Sequence, residues 1–236
     1  MIKRIACIAA LAGLLFTMAC TTAQINQTLD VLTNTPLSRE DVGNGLKEAL
    51  RVGITKGAQQ LAQEKGFYDS PYRILLPEEA RKVTEKLSVI PGFTDIEDVI
   101  IKKINQGAED AAKEAAPIFV SAIRQMTIQD AFGILKGDNR AATSYLDRVT
   151  RDQLYAKFNP VIVNSLDKFG ARKAWTDASS KYNSLPFVTD VNTSLDDYVT
   201  QQALNGLFAK VAEEEINIRT NLAARTTDLL RRVFAA

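Results

Sequence analysis

Histidine is absent from all 236 residues, and that gap alone removes most familiar hydrolytic and metal chemistry. The Ser-His-Asp and Cys-His nucleophile systems, the HExxH zinc site and the Glu-x-x-His di-iron site each need imidazole as base or ligand. Cysteine is nearly as scarce, with only Cys7 and Cys20. Aromatic residues make up 7% of the chain, and alanine is plentiful, which suggests helices packed closely through small side chains. Sustained two-residue alternation is missing, so no β-sheet is expected, and no repeat of fixed period stands out. A dominant charge is missing too. Without Lys3 and Arg4 the 29 basic residues become 27 against 28 acidic ones, a net of −1. Such a chain has no wholesale attraction for nucleic acid or an anionic membrane.

What is present at the N-terminus reads as an export signal. Lys3 and Arg4 form a positive n-region, and Ile5 to Phe16 form an apolar stretch too short for a permanent span. Residues 1–19 are therefore expected to be a signal peptide. Thr17-Met18-Ala19-Cys20 resembles a bacterial lipobox, with a small residue before a cysteine that would carry the lipid. The aliphatic residue usual three positions before that cysteine is Thr17, which leaves open ordinary cleavage after Ala19 or after Ala23. Lipidation of Cys20, with Cys7 removed, would leave no thiol for a disulfide. Thr21, rather than Asp, after the cysteine favours the outer membrane. Residues 20–37 are polar, rich in Thr, Asn and Gln, and read as the lipidated cysteine and its tether. The expected address is the periplasmic face of the bacterial cell envelope.

From residue 38 the pattern turns helical. Ser38 with Asp41 approximates a capping box, and Val42, Leu46, Leu50, Gly53, Gly57 and Leu61 follow at helical spacing. A helix of about seven turns ending at Gly66 is implied. Pro71 and Pro77 frame a turn before helical residues Glu78 to Ile90, and Pro91-Gly92 breaks the chain again. Thr94 with Glu97 opens a stripe from Ile96 through Ile100, Ile104, Gly107, Ala111 and Ala115 to Met126, within which Pro117 implies a kink or a fresh start. Thr127 with Asp130 caps a short helix to Lys136, and Gly137 to Asn139 make a turn. Further helices are predicted over 140–149, over 151–169 with an interruption at Pro160, around Trp175 to near Asn183, over 195–219 and over 222–234. The fold class is thus all-α, a single-domain bundle of about eight to nine helices over residues 38–236 with no β-sheet.

Several segments carry a family likeness. Gly66-Phe67-Tyr68, Ile118-Phe119, Met126 to Ala131, Asp152 to Phe158, Leu195 to Val199, Glu213-Glu214-Glu215 and Ala223 to Leu230 make this chain resemble the bacterial envelope proteins catalogued as domain of unknown function 4197. The likeness runs from about Ser38 to Phe234. It implies an exported, helical, single domain, and carries no activity over to any residue.

Glu214 is the most unusual side chain on a helical projection. It falls in the middle of an arc formed by Val199, Ala203, Leu207, Val211 and Ile218, with Glu213 and Glu215 expected to point elsewhere. A carboxylate placed so is either a structural ion-pair member, with Arg225 as the candidate partner, or an acid, base or cation ligand of raised pKa. Asp190-x-Asn192-x-Ser194 copies half of a calcium loop, but Leu195 and Gln201 stand where glycine and glutamate are needed. Ser194 with Asp197 reads better as a helix cap, and no metal site is expected. Gly53-x-x-x-Gly57 marks either a self-association seam or a tight internal crossing, and the charged neighbours Lys47, Glu48, Arg51 and Lys56 favour the latter. Phe67, Tyr72, Phe158, Trp175 and Tyr182, with other aromatics near helix ends, either fill gaps or line a cavity for an apolar ligand. Arg225 and Asp228 read as an exposed helix flank. The sequence therefore points to a non-catalytic envelope lipoprotein acting by binding, as a scaffold, a partner of another envelope protein, or a carrier of an apolar small molecule. The rival is a carboxylate-dependent enzyme centred on Glu214. No cofactor is expected for the binding role, whereas a retained divalent ion would support the enzyme.

Overall fold

Two capping boxes start helices where the sequence places them. The Ser38 hydroxyl accepts from the Asp41 N–H at 3.0 Å while the Asp41 carboxylate accepts from the Ser38 N–H, and Thr127 and Asp130 repeat the exchange. The structure is a computed structural model and describes residues 38–191, 194–221 and 231. Among these are eight α-helices and no strand: α1 (Arg39–Leu61), α2 (Glu78–Leu87), α3 (Ile96–Ala112), α4 (Ala115–Gln125), α5 (Ile128–Lys136), α6 (Ala141–Lys168), α7 (Ala171–Asn183) and α8 (Leu195–Thr220). The all-α expectation holds. None of the described helices is long and apolar enough to cross a membrane. The expected signal peptide, Cys20, the tether and most of the predicted 222–234 helix, Arg225 included, lie outside the described residues.

Boundaries differ from the periodicity in informative places. α1 ends at Leu61, not Gly66, with Ala62 as its C-cap, and the turn that follows includes Lys65 at a left-handed φ of 64°. Gly66 lies so close that a Cβ there would sit 2.4 Å from the Gln60 carbonyl oxygen. Pro117 makes a fresh start: it falls in the first turn of α4, where N–H groups lack intrahelical partners in any case. Pro160, by contrast, does not interrupt α6, which runs unbroken for 28 residues and joins the two predicted helices. The lost backbone bond is offset by burial of Leu154, Phe158, Ile162 and Leu166 along one face. α3 begins after Asp95 rather than from a Thr94 cap. Ser194 stands at the N-cap of α8 without a side-chain cap bond, and the Asp197 carboxylate accepts from the Tyr155 hydroxyl at 2.7 Å.

α8 is buried along most of its length. It packs on α6 and α1 and touches α3, while α6 also lies against α3, α4 and α7. Its buried residues, from Leu195 through Val199, Leu204, Leu207, Phe208 and Val211 to Ile218, cover most of its circumference, as expected of a helix with neighbours on several sides. Phe119 of α4 meets Phe208 edge to face, ring centroids 5.7 Å apart, and Arg151 of α6 stacks over the same Phe208 ring. Small residues set the distances. A Cβ on Gly206 of α8 would come within 2.8 Å of the fully buried Phe67 ring and 3.2 Å of Tyr72. Gly133 of α5 has nothing within 4 Å of its missing Cβ.

These two glycines should respond oppositely to alanine. Gly133→Ala should stabilise the fold by roughly 0.5–1 kcal/mol through helix propensity. Gly206→Ala should destabilise it by about 1–3 kcal/mol, because a rigid buried ring cannot yield. Denaturant unfolding of both variants checks this, and stabilisation by Gly206→Ala would contradict the packing of Phe67 on α8.

Candidate functional site

Three consecutive glutamates on α8 have three different environments. Glu214, 5% exposed, pairs with Lys210 one turn earlier at 3.0 Å. Its burial agrees with the helical projection, and its ion-pair partner in the structure is a lysine on its own helix. α1 closes over this pair at Gly57, whose missing Cβ would sit 3.1 Å from the Glu214 Cγ and 3.3 Å from the Lys210 Cγ. Gly53 similarly faces Ile218. The Gly53-x-x-x-Gly57 motif is therefore an internal crossing of α1 on α8. Burial opposes the charge on Lys210, but hydrogen bonds to Glu213 and Glu214 outweigh it and hold the ammonium above its ordinary pKa. Glu213 is half exposed and accepts from Lys210 at 2.7 Å and from the Tyr72 hydroxyl.

Glu215 points away from the Glu214 arc and is buried as well, against the start of α6. It is 3% exposed and supplies the cap that α6 lacks locally. Its carboxylate accepts from the Ala142 N–H at 3.0 Å and from the Thr143 N–H and hydroxyl, both at 2.8 Å. A negative group at a helix N-terminus satisfies orphan donors and opposes the helix dipole. Arg219 pairs with the same carboxylate at 2.9 Å and donates to the Ile134 carbonyl at the end of α5.

α3 contributes a second pair of buried polar side chains. The Glu109 carboxylate accepts the backbone N–H groups of Lys65, Phe67 and Tyr68 at 3.1–3.2 Å. Asn105 accepts from the Ile74 N–H and donates to the Ile74 carbonyl, each at 2.8 Å. The irregular stretch between α1 and α2 is thus held by side chains of another helix. Desolvation outweighs the three N–H bonds and pushes the Glu109 pKa up. Glu109, Asn105, Lys210 and Glu215 were all missed by sequence reasoning. A signal existed for two of them: Ile101, Asn105, Ala108 and Ala112 form a second stripe on α3 that runs beside Glu109.

Chemically, this arrangement binds the fold's own groups. Every buried side-chain polar atom among the described residues has a hydrogen-bond partner. A general base needs a lone pair facing a substrate, whereas Glu109 and Glu215 point theirs at backbone N–H groups and Glu214 points one at an ammonium. Asp190 and Ser194 line a surface cleft. Asn192 lies outside the described residues, and among these no three His, Cys, Asp or Glu side chains converge as metal ligands do. Phe67 and Phe158 are fully buried in the core cluster, where they fill space.

A family model described as "Protein of unknown function (DUF4197)" matches residues 36–235. No curated protein and no solved structure matches the chain.

Glu214→Gln should cost on the order of 1–3 kcal/mol in a urea melt, since it strips a buried ammonium of its buried counter-charge and leaves it only the half-exposed Glu213. The double variant Lys210→Met, Glu214→Met should lose less than the single one, because it leaves no unpaired buried ion, Glu213 being half exposed and still bonded to the Tyr72 hydroxyl; a larger loss would contradict the ion-pair role. Two other carboxylates should give pH slopes of opposite sign. Glu213 is held below its ordinary pKa by Lys210 and then Tyr72, so its stabilisation is present above the ordinary carboxylate range and lost on acidification. Glu109 is raised, so its contribution is greatest below that range and lost as pH rises through its folded value. The stability deficit of Glu213→Gln should therefore shrink toward acid pH, while that of Glu109→Gln shrinks toward neutrality. Unfolding titrations from pH about 3 to 7 read both, and slopes of the same sign would refute the assignment.

Proposed function

This chain belongs to the DUF4197 family of proteins of unknown function, and from that premise we propose that it is an envelope lipoprotein whose helical domain acts by binding rather than catalysis. The observation that carries the reading is the engagement of Glu214: the residue that would centre an enzyme is ion-paired to Lys210 beneath Gly57. Its neighbours Glu213 and Glu215 are likewise tied to Tyr72, Lys210, Arg219 and the N-terminus of α6. The complete burial of Phe67 and Phe158 favours an interaction or scaffold role over carriage of an apolar molecule.

The anchoring half of the proposal rests on Lys3, Arg4, the apolar run to Phe16 and Ala19-Cys20. In it, residues 1–19 are removed as a signal peptide, Cys20 takes the lipid, residues 21–37 are the tether, and the domain from residue 38 faces the periplasm, at the outer membrane by virtue of Thr21. Its partners there are the membrane, through the lipid, and another envelope component; nucleic acid is not among them.

Cys20→Ala should release the protein from membranes into the soluble fraction, because one lipidated cysteine with its acyl chains supplies all the membrane affinity. Fractionation with mass spectrometry of the mature N-terminus checks this. An unlipidated Cys20→Ala protein that still sediments with membranes would overturn the anchoring.

A further inference from the structure

We propose that Phe187 is a docking knob whose receptor is the groove between α2 and α7 on a second copy of this chain, two such insertions closing a two-fold dimer. Phe187 is fully exposed. It stands at the middle of a loop whose ends are clamped, since the Asn183 side chain accepts from the Val191 N–H at 3.0 Å and donates to the Val191 carbonyl at 3.2 Å. Leu185, Val188 and Val191 of the same loop pack against the core. The bulkiest apolar side chain of the loop is therefore the one turned outward. Its backbone is left-handed, with φ 61°, a conformation that an aromatic residue rarely adopts and that gathers at functional surfaces.

The groove lies beside this knob. Lys82, Glu85 and Lys86 of α2 and Val89 of the following turn face Tyr182 of α7 around a space of about 570 Å³. Val89 is 84% exposed, whereas Ile90 beside it packs on the core. The Lys86 ammonium lies over the Tyr182 ring, 5.8 Å from its centroid. The Leu185 N–H donates back to the Tyr182 carbonyl at 2.9 Å, and Phe187, two residues on, stands within about 7 Å of Leu185 along the chain.

Chemistry and position together select the occupant. Val89 and the lysine stems offer apolar contact, and the two ammonium groups favour the face of an aromatic ring over an aliphatic side chain. Lys82 is paired with Glu78 at 2.8 Å but remains exposed with further donors. Asp190 is the only charge in residues 184–191, opposite in sign to a rim on which Lys82 and Lys86 outnumber Glu85. Knob and groove also share one face, as an isologous contact requires, because the same patch must serve both partners. A flat bilayer would meet Phe187 but leave the groove unfilled. Two buried phenylalanines account for about 300–500 Å², less than the roughly 1,200 Å² of a standard interface, so the dimer is weak and reversible. Confinement of copies to a membrane would raise their effective concentration; that gain rests on the envelope reading above, and the contact itself does not.

The full mature chain carrying Cys20→Ala, which needs no detergent, would be followed by sedimentation equilibrium from about 1 μM to about 1 mM. A reversible monomer–dimer equilibrium is expected, weakened about tenfold or more by Phe187→Gly and by Val89→Glu. Glycine suits the left-handed backbone, so at about 1 μM, where monomer dominates, the melting temperature of Phe187→Gly should not fall even though its dimerisation does. A misfolded variant would lose both. Mixing the two variants supplies the sharpest comparison. One keeps the groove and the other keeps the knob, so together they should form a dimer held by a single insertion more readily than either does alone. A chain that stays monomeric throughout, dimers indifferent to Phe187→Gly, an open series of larger species, or a mixture no better than its components would each overturn the proposal. Phe187-dependent binding of a monomeric chain to phosphatidylethanolamine–phosphatidylglycerol vesicles would assign the knob to a lipid surface and overturn it as well. Because the chain tested carries no lipid, failure of the contact and failure of the Cys20 anchoring are separately visible.

Discussion

A buried backbone N–H must find an acceptor, and much of this molecule is arranged around where those acceptors come from. The stretch between α1 and α2 has no helix or strand to pair its amides. Glu109 takes three of them and Asn105 takes both polar groups of Ile74. Glu215 does the same for the start of α6. Leaving one such donor unpaired costs about 1–3 kcal/mol, comparable to a sizeable part of a domain's net stability. These side chains are in this sense substitutes for secondary structure.

α8 is where the constraints meet. Along one helix, Gly206 admits Phe67, Lys210 and Glu214 receive α1 at Gly57, Glu215 caps α6, and Arg219 reaches the end of α5. Close approach and buried charge depend on each other here. Gly57 lets α1 cover the ion pair, and the pair's neutrality makes that cover affordable in a dry interior. The acidic run that looks like a reactive cluster in one dimension is divided among neighbouring elements in three.

The fold was legible where a signal is local. Ser38 with Asp41 and Thr127 with Asp130 carry their helix starts in four residues, and the apolar stripes of α1 and α3 carry the class. Glu214 was legible because a single carboxylate interrupts an apolar arc. Glu215 was not, since a projection that assumes one buried face fails on a helix with neighbours on several sides. Lys210 was passed over because its long apolar stem lets it lie in a hydrophobic stripe unremarked. Pro160 misled because its penalty is local, whereas the packing that outweighs it comes from distant Leu154, Phe158 and Ile162. The Glu109 and Glu215 contacts link positions 41–44 and 72–73 apart, and no local window can contain them.

That last separation bears on the order in which the molecule can assemble. A chain that emerges from its N-terminus exposes all of α6 before Glu215 appears, so the first turn of the longest described helix waits for a cap encoded some seventy residues later. Loop closure over such distances is entropically costly and slow compared with helix formation. α6 can form early as a helix frayed at Ala142 and Thr143, and only the docking of α8 tightens it. Completion of the chain, rather than growth of any one helix, is then the event that commits the bundle to a single structure.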